Sequence, residues 1–61
     1  MTVLDHLTAY NLRTGQVYES IVIIQNLIGR LEADRQIEIL KSEGRVSEHP
    51  GINGQLLKLI K

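Results

Sequence analysis

The residues of this chain able to do chemistry are two histidines, His6 and His49, seven acids and three serines, Ser20, Ser42 and Ser47. A catalytic metal needs several His, Cys or carboxylate ligands at close spacing. The two histidines stand at opposite ends of the chain, and there is no cysteine. We expect no metal and no cofactor, and read both histidines as exposed, one beside a helix cap and one beside Pro50. A subunit contact at His49 would make it pH-sensitive. None of the serines has the setting of a nucleophile elbow. Gly51-Ile52-Asn53-Gly54 lacks the Lys-Ser/Thr ending of a phosphate loop and reads as a plain loop. Asp34 and Glu38 are four apart and share a helix face, but Arg35 and Lys41 accompany them, as on a solvated surface. Tyr10 and Tyr18 have the rings to stack on a nucleotide; interface packing suits Tyr18 better. Arg13, Arg30 and Arg45 are scattered. No constellation of an enzyme emerges, and the expectation is a non-enzymatic protein.

Composition narrows the classes further. With 61 residues the chain is a single small helical domain, 1–61, and a chain this short buries only about 60% of its unfolded surface. Apolar residues make up 43%, too many for a disordered tail. With two tyrosines and no Phe or Trp, the core must be aliphatic. The absence of cysteine fits a reducing, cytoplasmic setting. Formal net charge is zero, without the basic surplus that neutralises phosphates, so nucleic acid is an unfavoured partner. The longest apolar run, Ile21 to Ile24, is far too short to span a membrane.

The elements follow from periodicity. Thr2-Val3-Leu4-Asp5 fits a capping box and opens a first helix over about 3–12. Arg13-Thr14-Gly15-Gln16 breaks it; a hairpin over Leu12 to Tyr18 is the rival reading. Val17, Ile21, Ile24, Ile28 and Leu31, joined by Leu27, recur at steps of four and three and form one apolar stripe. Tyr18, Val22, Gly29, Ala33, Ile37 and Leu40 form a second, on the opposite side. Residues 32–43 are good helix formers with Glu32–Arg35 and Glu38–Lys41 pairs, and Gly44 suits a C-terminal cap. The pattern predicts a long central helix over about 16–43, bent at Gly29. A short strand at Ile37-Glu38-Ile39 is the minority reading. Residues 44–54 read as a loop, and Leu56, Leu57, Leu59 and Ile60 as a short C-terminal helix capped by Asn53. The expected fold class is all-α. Residues 32–44 carry four acids and two bases, and residues 45–61 three bases and one acid, which favours docking of the C-terminal piece near the acidic helix.

Leu7-Thr8-Ala9-Tyr10, Tyr18, Ile28-Gly29-Arg30-Leu31, Glu48-His49-Pro50-Gly51-Ile52 and Leu56-Leu57-Lys58-Leu59, taken together, resemble the helical core of some tailed-phage terminase small subunits. The resemblance implies a helical ring-forming protein that recognises viral DNA for packaging. The chain is short for that family's separate DNA-binding part and lacks a basic surplus, so no DNA-contacting residue carries over.

Two apolar stripes on one helix are more than two short flanking segments can cover. We therefore expect a homo-oligomer with an interface of Tyr18, Val22, Gly29, Ala33, Ile37 and Leu40. The expected function is that of a small interaction protein, a phage or bacterial regulator or inhibitor binding another protein. The alternatives are an oligomer holding a small nucleotide or metabolite between subunits through Tyr and Arg side chains, and the core of a phage DNA-packaging terminase small subunit.

Overall fold

A computed structural model describes residues 1–60. The chain is α+β, with three helices and a three-stranded antiparallel sheet, and the all-α expectation is corrected on that ground.

Helix α1 spans Val3–Thr14. Thr2 caps it, its Oγ1 accepting from the Asp5 N–H at 3.0 Å, and Gly15 closes it in the left-handed conformation. Strand β1, Tyr18–Ser20, follows, so the Leu12-to-Tyr18 hairpin does not form. The expected 16–43 helix is two helices, α2 at Ile21–Ile28 and α3 at Arg30–Ser42. Gly29 separates them with φ 105° and ψ 138°, a conformation nearly confined to glycine. A break, not a bend, results. The Ile37–Ile39 segment lies inside α3 and is no strand.

The loop expected over 44–54 contains strand β2, Val46–His49, and the expected C-terminal helix is strand β3, Leu56–Leu59. β3 is the middle strand, in the order β1-β3-β2. Its register sets Glu19 and Glu48 beside Leu57, and Tyr18 and Ser47 beside Lys58. Side chains alternate across a strand, so Glu19, Leu57, Glu48, Val46 and Leu59 share the face toward the helices. Val46, Leu57 and Glu19 are buried there.

The core joins Val3 and Leu7 of α1, Ile24 of α2, Ala33, Ile37 and Leu40 of α3, and Val46 and Leu57 of the sheet. Among the described residues no helix is long and apolar enough to cross a membrane.

A Cβ at Gly29 would meet nothing within 4 Å, so any cost of Gly29→Ala is the backbone's alone. We expect the change to lower stability by roughly 1–2 kcal/mol, read as a shift of the urea midpoint. A midpoint equal to wild type would show that the junction tolerates an ordinary residue.

Candidate functional site

Where α2, α3 and the β2–β3 hairpin meet, they enclose a cleft of about 400 Å³. Ile21 and Val22 from α2 and Ile37 from α3 give it apolar walls. Asp34, Glu38 and Lys41 come from successive turns of α3, Glu48 from β2, Gln25 from α2 and Gln55 from the hairpin loop. The Lys41 Nζ lies 3.0 Å from Glu38 Oε2 and 2.9 Å from Glu48 Oε1. Gln55 donates to Glu48 Oε2 at 3.2 Å, and Gln25 to Asp34 Oδ1 at 2.7 Å. Asp34 and Glu38 thus share a face, as their spacing requires. The helical pairs expected from sequence both form, Arg35–Glu32 at 3.3 Å and Lys41–Glu38. They are exposed and add little stability.

The hydrogen bond from Lys41, then that from Gln55, holds the Glu48 carboxyl below its ordinary value of 4.5. Hydrogen bonds to Glu48 and then Glu38 raise Lys41 above 10.5. A carboxyl lowered by folding stabilises at pH above its unfolded value and loses that contribution as pH falls through the folded one. We therefore expect Glu48→Gln to flatten the acid limb of the stability profile below about pH 4.5. Urea titrations at stepped pH measure this; identical acid limbs would remove Glu48 as a source of it.

A second cluster lies between α1 and β1. His6 Nε2 meets Glu19 Oε2 at 3.2 Å, with 11% and 8% of their side chains exposed. The Glu19 Oε1 accepts from the Ser20 N–H at 2.9 Å. His6 stacks on Tyr10, and the Arg13 guanidinium lies 5.8 Å from the Tyr10 ring centre. The reading of His6 as exposed is thereby corrected. Its signal was absent from spacing, because only strand parity turns Glu19 inward.

The opposite sheet face carries a third group. Ser47 Oγ and His49 Nε2 are 2.7 Å apart, Tyr18 meets His49 edge-on, and Lys58 lies over Tyr18. His49 is half-buried, not exposed. Among the described residues no carboxylate meets the imidazole's other nitrogen, so the Ser–His contact does not make a triad. Among the described residues no His, Cys, Asp and Glu group of three could hold a metal.

The six residues expected at an oligomer interface divide. Ala33, Ile37 and Leu40 are buried inside the chain itself, against α1 and the sheet. Tyr18, Val22 and Gly29 are exposed. The exposed apolar side chains are spread over the chain: Val22, Ile23 and Leu27 of α2 are about half exposed and Leu31 opening α3 is 86% exposed, while Met1, Leu12, Ile39, Ile52 and Ile60 lie outside elsewhere. Comparison with known protein families, curated proteins and solved structures gives no match to this chain.

Proposed function

We propose that this chain is a non-enzymatic interaction module that self-associates and binds another protein, with its contact surface on α2 and the start of α3. The observation that carries this is that Val22, Ile23 and Leu27 of α2 and Leu31 of α3 are each about half or more exposed. A small domain gains by covering such side chains. A second copy is the simplest cover, through a two-fold axis. Zero net charge leaves no long-range repulsion between copies.

The order of elements favours a second reading. A helix, a strand, two helices joined at a glycine and a hairpin, with the first strand completing the sheet, have the form of a winged helix-turn-helix. In DNA-binding proteins of the helix-turn-helix class the second helix of the pair enters the major groove. Here that helix, α3, carries Glu32, Asp34 and Glu38 against Arg30, Arg35 and Lys41, with Arg35 and Lys41 already held by carboxylates. Phosphate neutralisation needs a surplus of cations, and α3 has none. Protein binding is therefore the first reading and DNA binding, the packaging role included, the second. A nucleotide held between subunits is a third, testable by thermal shift.

Sedimentation equilibrium tests the proposal. Wild type is expected to associate at micromolar concentration, and Leu27→Glu to be a folded monomer. A wild type that stays monomeric at high micromolar concentration ends the self-association reading. A gel shift with a mixed-sequence duplex at low and moderate salt tests the second: a salt-sensitive shift would move DNA ahead of protein.

A further inference from the structure

We propose that the cleft between α2, α3 and the hairpin receives an arginine side chain presented by a partner protein. This deepens the protein-binding reading and rests on it.

The space is about 400 Å³, room for one long side chain. Its rim has three carboxylates, Asp34, Glu38 and Glu48, to one ammonium, that of Lys41. Lys41 bridges Glu38 and Glu48, whereas among the described residues Asp34 is met by the neutral amide of Gln25, through Oδ1. Asp34 Oδ2 has no hydrogen-bond partner among the described residues. One turn further along the same face, Glu38 is engaged, among the described residues, through Oε2 alone. The carboxylate oxygens left without a protein donor thus belong to Asp34 and Glu38, both exposed, in a cleft whose lining also includes Ile21, Val22 and Ile37.

A cation with an apolar stem and a planar donor fork matches this arrangement. The guanidinium reaches a carboxylate with two parallel N–H donors, and its methylenes lie on aliphatic surface. A lysine brings a compact, strongly hydrated charge and matches it less well. A metal ion does not suit, since the acids do not converge as a ligand group. The partner is therefore a protein segment with an arginine between apolar residues, whose neighbours lie on the exposed Val22 side.

Titration of the 15N-labelled protein with the peptide acetyl-Leu-Arg-Leu-amide tests this. The expected result is shifts centred on the amides of Gln25, Asp34, Lys41 and Gln55. The arginine peptide is expected to bind about tenfold more tightly than its isosteric, uncharged citrulline counterpart. Asp34→Asn and, separately, Glu38→Gln should each weaken binding at least about fivefold while the remaining spectrum stays wild-type. Equal binding of the citrulline peptide overturns the proposal. So do shifts that map elsewhere, or spermine competing as well as the peptide. A chain that self-associates yet ignores the peptide loses this site and keeps the proposed function; one that binds it as a monomer keeps the site and loses self-association.

Discussion

Leu57→Ala is expected to remove about half or more of the chain's stability at 25 °C. Leu57 is fully buried at the centre of the middle strand, with Glu19 and Glu48 as its lateral neighbours and the helical core above it. Truncating a buried leucine costs about 2–5 kcal/mol, from lost transfer energy and the cavity left behind. A chain of this size has a total stability on the order of 3–9 kcal/mol. The loss is thus comparable with the whole. Circular dichroism with urea titration measures it, and Ile52→Ala is the control, since Ile52 is fully exposed. A Leu57 variant within about 1 kcal/mol of wild type would mean that the sheet does not close over the helices at this residue.

The second large effect is expected at His6. Removing the imidazole by His6→Ala leaves Glu19 buried with only the Ser20 amide to bond. Leaving a buried polar group without its hydrogen-bond partner costs about 1–3 kcal/mol, because Glu19 has lost water as well as His6. Replacing both groups, as His6→Leu with Glu19→Leu, removes that orphaned group and should recover most of the loss. Thermal unfolding of the three variants decides. If the double variant is as unstable as His6→Ala, the pair is not the cause, and packing of α1 on β1 is.

Much of the local structure was legible. Thr2 and Gly15 bound α1 through contacts within a few residues, and such signals survive in sequence. The Glu32–Arg35 and Glu38–Lys41 pairs, and the shared face of Asp34 and Glu38, follow from helical spacing alone. Gly29 was marked as a special position, yet spacing does not reveal a φ of 105°, so a bend was expected where the chain breaks. The two stripes were real apolar patterns read onto one helix. Ile24 belongs to α2, whereas Ala33, Ile37 and Leu40 belong to α3, and once the helices separate both sets turn to one core. The extra apolar surface assigned to a second copy was in large part the chain's own interior. The strands were the least legible. β1 is three residues long, and Leu56-Leu57-Lys58-Leu59 alternates for too short a stretch to exclude a helix. Their pairing joins Tyr18 to Lys58, a contact that no local pattern encodes. The cleft was hidden for the same reason: Asp34 and Glu38 read as a solvated helix face, and nothing local encodes the hairpin that brings Glu48 and Gln55 to them.

The strand order has a consequence for how the chain comes into being on the ribosome. β3 lies between β1 and β2 but is translated after both. While the nascent chain lacks Leu56–Leu59, β1 and β2 lack the strand they pair with, and the core lacks Leu57. Helical turns can come and go in that interval, but short helices in water are marginal without packing to hold them. Folding is therefore not gradual accretion from the first residue onward. Until β3 emerges the sheet cannot form, because each of the other two strands pairs with it. For that interval the protein depends on the speed of elongation and on whatever shields apolar nascent segments.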